Sequence, residues 1–339
     1  MRRLALLAVA LLLSGCSLLP SLSPTPTAPA LRTVRFMAGY KPQANLPFVG
    51  AYVAQINGYF AAEGLNAEIT HATGQGEHLK LLLQGSVDVI TASADELLAR
   101  RAEGVPVVAI AVLGQREQRA YAVRAESEIR SPRDWAGKLV GYKVEPAPDY
   151  LALLAAAGVD RATIHEVPVG FDPRLLAAGK VDVYPVFESN EPDTLQRMHV
   201  PVRLFRSADY GVPGLGLTYE TREQLVGQDA DLLARFLKAT LKGIEFAREH
   251  PDEATDIVMR FAPNEQREHQ QAMLLTELEM ANGPATATQG IGWATHDQWQ
   301  TYHDSLLAFG GLKSSVNIDQ AFRDDILQMI YRDGRLVWP

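Results

Sequence analysis

Two segments about a hundred residues apart repeat one pattern: a glycine turn, a short helix, a second glycine and a β-branched strand. Residues 74–90 read GQGEHLKLLLQGSVDVI, and residues 170–184 read GFDPRLLAAGKVDVY. Glycine suits the position that follows a helix, and the Val-rich run after it favours a strand. A strand-like segment precedes each copy, at Asn66–Thr70 and Thr163–Val169. Strand, helix and strand therefore follow each other twice, which predicts an α/β protein with two similar lobes. Chance similarity between two α/β units is the alternative.

The rest of the chain fits the two-lobed plan. Hydrophobic periodicity predicts further strands at Val34–Met37, Val105–Val112, Leu139–Tyr142 and Val202–Phe205. It predicts further helices at Phe48–Glu63, Tyr150–Ala157, Asp229–Glu249, Pro251–Phe261, Gln266–Ala281, Asp297–Phe309 and Ile318–Tyr331. We expect lobe I to comprise residues 32–115 and 210–339, and lobe II to comprise residues 116–209.

A cleft between the lobes is the expected ligand site, because open α/β sheets bind ligands beyond the carboxyl ends of their strands. The loops at those ends are Thr73–Gly76, Thr91–Asp95, Gly141–Tyr150, Gly170–Asp172 and Phe187–Asn190. Hinge segments are expected near Gln115–Tyr121 and Ser207–Leu217, where Gly211, Gly214 and Gly216 permit changes in backbone dihedral angles.

The N-terminus carries the features of a bacterial lipoprotein leader. Met1-Arg2-Arg3 is basic, and Leu4–Leu13 is an apolar stretch too short to span a bilayer as a stable helix. Leu13-Ser14-Gly15-Cys16 resembles a lipobox, which implies removal of residues 1–15 and lipidation of Cys16. An ordinary signal peptide with an incidental cysteine is the alternative. We expect a protein anchored through lipid to the extracytoplasmic face of the cell membrane.

Composition narrows the possible partners. The formal net charge of −8 becomes −10 if Arg2 and Arg3 leave with the leader, so the chain lacks the basic surface that nucleic-acid binding requires.

Residues 16–31 form an uncharged tether rich in Pro, Ser and Thr after Cys16. With Cys16 as the single cysteine, the chain has no intrachain disulfide.

The residues do not assemble into a catalytic constellation. The sequence contains neither a Gly-x-Ser-x-Gly elbow nor a P-loop. His296 and His303 lie seven residues apart on one helix face, without a third ligand at metal spacing. We therefore predict neither an enzyme, nor a metal site, nor a cofactor. A structural or adhesive lipoprotein is a further alternative, against which the cleft argues.

Several motifs resemble the periplasmic substrate-binding proteins of ABC importers, in the group of alkanesulfonate-binding and thiamine-pyrimidine synthase-like proteins. Residues 58–69 (GYFAAEGLNAEI) resemble the opening of that family. Residues 83–88 (LQGSVD), residues 134–141 (DWAGKLVG) and Gly292-Trp293 with Trp299 continue the resemblance over nearly the whole mature chain.

The resemblance implies a two-lobed periplasmic-binding-protein fold (type II) that closes on a small molecule. It also implies that the chain acts as a monomer beside an ABC permease and its ATPase. Residues 36–45 (FMAGYKPQAN) resemble the branch for heteroaromatic vitamins, although Tyr40 stands where that branch usually has Trp. The implied ligand is riboflavin, with a thiamine-precursor pyrimidine (formylaminopyrimidine or hydroxymethylpyrimidine) as the alternative and an alkanesulfonate or oxyanion as a weaker one. Enzymes of the group that make the pyrimidine use a Cys-rich segment, which this chain lacks.

Aromatic faces with a few directed polar groups would hold a flat ring. Glu188 resembles the acidic residue that meets a pyrimidine ring in the family. For Phe48, Tyr52 and Trp293 packing in the core is the alternative, and for Asp95 and Asp149 a helix N-cap is the alternative. The predicted ligand contacts are Tyr40, Asn45, Phe48, Tyr52, Ser93, Asp95, Tyr142, Asp149, Glu188, Asn190 and Trp293.

Overall fold

A computed structural model describes residues 30–73 and 76–339. The predicted leader (1–15), the predicted lipidation site Cys16 and the tether as far as residue 29 lie outside the described residues. Gly74 and Gln75, in the first copy of the near-repeat, also lie outside them.

The strands follow the predicted positions closely. They are β1 (Arg32–Ala38), β2 (Leu65–His71), β3 (Val89–Ser93), β4 (Val107–Val112), β5 (Arg119–Arg124), β6 (Leu139–Tyr142), β7 (His165–Pro168), β8 (Tyr184–Phe187), β9 (Val202–Phe205), β10 (Leu217–Arg222), β11 (Tyr331–Arg332) and β12 (Arg335–Leu336). The bounds of β6 and β9 equal the predicted ones, whereas β5 and β10 begin where hinge segments were predicted.

Helices dominate the last third of the chain. They are α1 (Leu46–Ile56), α2 (Tyr59–Ala62), α3 (Glu77–Leu83), α4 (Ala94–Ala102), α5 (Pro148–Ala156), α6 (Arg174–Ala177), α7 (Glu191–Arg197), α8 (Glu223–Gln228), α9 (Ala230–Glu249), α10 (Pro251–Phe261), α11 (Arg267–Met280), α12 (Pro284–Gln289), α13 (His296–Ala308), α14 (Ile318–Ala321) and α15 (Asp325–Ile330). Every helix within the described residues is too short or too polar to cross a bilayer.

Lobe I is built on a five-stranded sheet with the order β2-β1-β3-β10-β4. β1 pairs in parallel with β2 and β3, whereas β10 runs antiparallel to β3 and β4. The β4 sequence, Val-Val-Ala-Ile-Ala-Val, is buried along its whole length, as expected for a strand covered on both faces. The chain leaves this sheet after β4, builds lobe II and returns as β10.

Lobe II contains two smaller sheets. β5 pairs with β8 and β9 in an antiparallel sheet, and β6 pairs in parallel with β7. A parallel bridge between Val140 and Val183 joins the two sheets. Separate hydrophobic clusters around Trp135 and Tyr184 form the core of this lobe, apart from the large cluster of lobe I. The predicted α/β fold with two lobes is confirmed, while the residue boundaries of the lobes stay a prediction.

The near-repeat occupies equivalent places in the two lobes. In lobe I, β2 and β3 lie on either side of β1 and are connected through α3. In lobe II, β7 and the Val183 bridge lie on either side of β6 and are connected through α6. The glycine after each helix, Gly85 or Gly179, has a positive φ (75° or 66°), which favours glycine. The two copies therefore share their topology as well as their residue pattern.

Two predicted helices are each divided into two. The helix expected at residues 48–63 is interrupted at Gly58, whose φ of 75° ends α1 and begins α2. The helix expected at residues 318–331 is interrupted at Phe322, which is extended and bridges Ala109 beside β4. A long-range contact thus overrides a continuous helical period in the second case.

The predicted hinge segments run side by side between the lobes. The Gly216 amide donates to the Gly114 carbonyl at 2.9 Å, and the Leu113 amide donates to the Leu217 carbonyl at 2.7 Å. A Cβ on Gly216 would lie 2.8 Å from the backbone carbonyl oxygen of Arg116, so only glycine fits at this interlobe crossing, where the two segments pass each other. These glycines permit the close approach of two strands, and their role in a hinge motion stays a prediction.

Candidate ligand-binding site

A cavity of about 700 Å³ lies between the two lobes. Lobe I contributes residues that follow β1 and β2, and residues at the end of β3 and the start of α4. Lobe II contributes the loop after β6, Phe171 beyond β7, and the end of β8. These positions lie at the carboxyl ends of strands, as predicted, and the volume suits a small organic molecule.

Six of the predicted ligand contacts line this cavity. They come from both lobes and include three aromatic rings, which agrees with a site for a flat ligand. The six are Tyr40, Asn45, Phe48, Ser93, Tyr142 and Asn190.

Tyr52, which was predicted to face the ligand, lies in the core instead. Its ring is fully buried and stacks on Phe261 with a centroid distance of 4.0 Å. Its hydroxyl lies 2.8 Å from the Nε2 atom of His71, whose Nδ1 atom lies 2.7 Å from the Tyr40 carbonyl. A carbonyl only accepts, so Nδ1 donates and Nε2 accepts from Tyr52. Tyr52 thus orients His71, which lines the cavity.

Asp95 and Asp149 lie behind the cavity wall and pair with Arg119. Both side chains are fully buried, and the Nη1 atom of Arg119 lies 2.8 Å from Asp95 and 2.5 Å from Asp149. Arg119 itself lines the cavity. A buried guanidinium requires compensating carboxylates, which explains why these two acids turn away from the ligand space. The N-cap of α4 is Ser93, so Asp95 is not the cap.

Glu188 and Trp293 also lie away from the cavity. The Glu188 carboxylate forms a two-pronged pair with Arg206, with distances of 2.8 and 2.6 Å. The Trp293 ring is almost fully buried and meets Tyr331 edge to face in lobe I. Each side chain therefore has a structural partner in place of a ligand.

Aromatic rings from both lobes meet across the cavity. Tyr40 of lobe I lies 4.9 Å from Phe171 of lobe II, measured between ring centroids. The Lys143 Nζ atom lies 5.4 Å from the Phe171 centroid and 5.5 Å from the Phe187 centroid, within cation–π distance. Tyr40, Phe171 and Phe187 therefore give the cavity apolar faces against which a flat ring can stack.

Sequence reasoning missed Phe171 and Phe187, although it marked both loops. Phe171 directly follows the first glycine of the second near-repeat, and Phe187 is the last residue of β8. Tyr40 was predicted because it stands at the aromatic position of the branch that the motif resembles. An aromatic residue at the carboxyl end of a strand is the signal that would have identified Phe187.

Every lysine and arginine of the described lining has an acidic partner. Arg119 pairs with Asp95 and Asp149, and Lys143 pairs with Glu191. The two remaining pairs are Lys41 with Glu265 at 2.6 Å and Arg100 with Glu103 and Glu145, each at 3.3 Å. Because these charges are compensated within the protein, the cavity lacks the free cation that a sulfonate or phosphate would require.

Two carboxyl groups of the lining have unusual acidity. Glu96 lines the cavity between the lobes, and 48% of its side-chain surface remains exposed. Desolvation, together with the charge of Asp95, raises the pKa of Glu96 to about 7. Desolvation raises the pKa of the buried Glu220 to about 8, against a hydrogen bond from Thr218 that lowers it.

A buried carboxylate on α11 connects the cavity wall, the interlobe crossing and lobe II. Glu277 accepts hydrogen bonds from Asn45 Nδ2 (3.0 Å), the Leu46 amide (3.2 Å), Gln118 Nε2 (2.8 Å) and Ser189 Oγ (2.7 Å). Asn45 lines the cavity, Gln118 belongs to the crossing and Ser189 follows β8. One buried carboxylate is thus hydrogen-bonded to all three regions.

Comparison with known proteins identifies the family. The profile of NMT1/THI5-like proteins matches residues 45–254. The chain belongs to this family. This NMT1/THI5-like protein is 30% identical over 289 residues to the formylaminopyrimidine-binding protein of Halalkalibacterium halodurans, covering 82% of the present chain and 87% of the relative. It is 28% identical over 319 residues to the riboflavin-binding protein RibY of Chloroflexus aurantiacus, covering 91% and 90%.

Solved structures agree on the fold of this NMT1/THI5-like protein. The periplasmic aliphatic sulphonate binding protein SsuA of Escherichia coli superposes with a TM-score of 0.65 over 85% of the present chain and 91% of its own. At 14% identity this similarity concerns the fold alone. The family that the motifs predicted is confirmed by the profile match and by the relative at 30% identity.

Proposed function

We propose that this protein is the lipid-anchored solute-binding component of an ABC importer and that it captures a heteroaromatic vitamin, with riboflavin as the favoured ligand. The observation that carries the proposal is the cavity between the lobes, whose aromatic faces come from both lobes and whose cations are all paired. Such a site favours a flat ring without net charge. The predicted lipobox at Cys16 supports an extracytoplasmic, membrane-tethered location.

Cavity size favours riboflavin over a single pyrimidine ring. A volume of about 700 Å³ accommodates a tricyclic ring with a polyol chain, whereas one six-membered ring would leave much of it to water. Asn45 and Asn190, which offer both donors and acceptors, suit the hydroxyl groups of such a chain.

Formylaminopyrimidine is the second candidate. The relative from Halalkalibacterium halodurans, named for that ligand, is 30% identical to this chain. An amino-pyrimidine needs the same aromatic faces and fewer polar contacts. An alkanesulfonate is disfavoured, because its charge would find each lining cation already paired.

Closure of the lobes would couple ligand capture to transport. Tyr40 and Phe171 come together only when the lobes approach, so a ligand that touches both rings binds the closed form more tightly than the open one. The closed form would then dock on the permease, and the ligand would be passed inward without chemical change.

Direct titration of the unlipidated chain (Cys16→Ser) tests the proposal. Riboflavin should lose fluorescence on binding, and the melting temperature should rise with the logarithm of its concentration once that concentration exceeds Kd. Formylaminopyrimidine and a short alkanesulfonate, measured by calorimetry, serve as competitors. Binding of the pyrimidine without riboflavin would select the second candidate. Binding of the sulfonate alone, or chemical alteration of a recovered ligand, would contradict the proposal.

A further inference from the structure

The start of α4 carries a capping-box pattern at the edge of the cavity. Residues 93–96 read Ser-Ala-Asp-Glu, and Ser93 is the N-cap of the helix. In a capping box the Ser hydroxyl accepts from the amide of the third helical residue, and the Glu carboxylate accepts from the N-cap amide. Local sequence therefore predicts two hydrogen bonds, from the Glu96 amide to the Ser93 hydroxyl and from the Ser93 amide to the Glu96 carboxylate.

The box does not form. Ser93 makes no side-chain cap hydrogen bond, and its Oγ atom is buried without a partner in the described part of the chain. Glu96 forms no hydrogen bond with any described residue, and its nearest cation, the Nη2 atom of Arg119, lies 3.6 Å away. Both side chains line the cavity.

The same protein closes a box of this kind elsewhere. At the start of α13, Thr295 Oγ1 accepts from the Gln298 amide at 3.1 Å, and Gln298 Oε1 accepts from the Thr295 amide at 2.8 Å. Neither residue lines the cavity. A Ser or Thr N-cap can therefore close such a box in this protein, and at the start of α4 it does not.

Glu96 also differs from the other acids of the lining. Glu145 accepts a hydrogen bond from Arg100, Glu191 accepts from Lys143 and from the Phe187 amide, and Glu220 accepts from Thr218. Among the described lining acids, Glu96 is the one whose acceptor capacity is unused.

We infer that Ser93 and Glu96 form a recognition pair for the polar edge of the ligand's ring. Glu96 accepts from an amide, imide or amino N–H of the ring, and the Ser93 hydroxyl, after rotation about its χ1 bond, bonds to the neighbouring ring oxygen or nitrogen. This inference rests on the proposed function, because it specifies which edge of a heteroaromatic ring the cavity selects.

Charges around Glu96 make this recognition depend on pH. Asp95 and Arg100 face it from α4, Arg119 from β5, Glu145 from the loop after β6 and Glu220 from β10. Its pKa of about 7 leaves a mixture of acid and carboxylate at neutral pH. The carboxylate is the better acceptor, so affinity for a ring with an N–H donor should rise from pH 6 to pH 8.

The test compares Glu96→Gln and Ser93→Ala with matched controls in the Cys16→Ser chain. Affinity for riboflavin and for formylaminopyrimidine is measured between pH 6 and pH 8. Glu96→Gln should weaken binding about tenfold at pH 8 and abolish its pH dependence. Glu249→Gln, which replaces an exposed acid at the end of α9 outside the cavity, should leave both unchanged.

Melting of the free protein gives an independent readout. Thr295→Ala should lower the melting temperature by roughly 2 °C, because it breaks a closed box. Ser93→Ala should leave it nearly unchanged while it weakens ligand binding. An equal loss of melting temperature in both variants would show that the Ser93 box is closed, and would overturn the inference without any ligand.

The outcomes also separate the inference from the proposed function. Wild-type affinity in Glu96→Gln, with an unchanged pH profile, would overturn the recognition pair and leave the function standing. If the Cys16→Ser chain with Ser93 and Glu96 intact binds neither compound, the proposed function and the role of the recognition pair are both overturned.

Discussion

Glu220 illustrates how a single buried acid ties stability to pH. It lies in β10, an inner strand of the lobe I sheet, is 2% exposed and accepts a hydrogen bond from Thr218 at 2.9 Å. Desolvation raises its pKa to about 8 from an ordinary value of 4.5, so the folded chain holds this proton more tightly than the unfolded chain. Its contribution to stability is therefore complete below pH 4.5 and is lost as the pH rises toward 8.

Replacement of Glu220 by Gln should remove this dependence. Each pKa unit corresponds to about 1.4 kcal/mol, so the variant should gain much more stability over the wild type at pH 8.5 than at pH 5.5. Urea unfolding at the two pH values provides the measurement. Glu103→Gln is the control, since ion pairs lower the pKa of Glu103 and its effect should be equal at both pH values. A Glu220→Gln variant that matches the wild type at pH 8.5 would contradict the prediction.

Local sequence signals predicted which residues reach the cavity better than they predicted long-range partners. Tyr40 follows β1 and Phe48 lies in the first turn of α1, and both line the cavity, while their contact with a ligand stays a prediction. Glu188 was chosen because it follows β8, but its partner is Arg206, eighteen residues away. A tertiary ion pair of this kind cannot be predicted from the residues next to Glu188 in the sequence.

At the scale of elements, α11 is the helix on which both lobes depend. Glu277 accepts from lobe I, from the crossing and from Ser189 of lobe II, and His269 lies 2.6 Å from Asp193 and 3.0 Å from Asn190. The helix was predicted within one residue at each end. The buried acid within it was not predicted, because sequence alone does not reveal which Glu faces the partner lobe.

Replacement of Glu277 by Ala should destabilise the fold by about 3 kcal/mol or more, because four buried donors would lose their acceptor. Equilibrium unfolding in urea measures the change. Glu279→Ala on the same helix is the control: its partner Arg116 is exposed, so the expected loss is below about 1 kcal/mol. Equal losses in the two variants would refute the role assigned to Glu277.

Helix boundaries were predictable where caps and periodicity agreed. α10 starts at Pro251 and ends at Phe261, as predicted, since proline favours the first turn of a helix. The continuous helix predicted at residues 318–331 is wrong, because Phe322 forms a β-bridge with Ala109, more than two hundred residues away in sequence. Local preference yielded there to the packing of lobe I.

At the scale of the whole molecule, the Tyr40–Phe171 contact is the aromatic link between the lobes. Phe171 remains 43% exposed although it packs on Tyr40 at 4.9 Å. Phe171→Ala should accelerate ligand release by roughly two- to tenfold, because the closed form loses an aromatic pair. Stopped-flow displacement measures this rate. Met198→Ala, a similarly exposed apolar side chain of lobe II outside the cavity, should leave the rate unchanged. Faster release from both variants would argue against a specific aromatic link.

Membrane attachment provides a second test at this scale. The lipobox prediction at Cys16 implies that the wild-type chain enters the detergent phase of a Triton X-114 separation, and that Cys16→Ser stays in the aqueous phase. Cell fractionation checks the same expectation in vivo. Equal partitioning of the two chains would remove the lipid anchor from the proposed function.

The place of β10 in the sheet order constrains how the protein can be made. β10 inserts between β3 and β4 only after the whole of lobe II has been synthesised, so a growing chain carries two strands with open edges until residue 222 has emerged. The sheet of lobe I therefore cannot be completed early, because β10 joins β3 to β4 only after a long-range closure. Until about two thirds of the chain has been synthesised, the sheet of lobe I is incomplete. A chain in this state can still pass through a narrow secretion channel in an unfolded form.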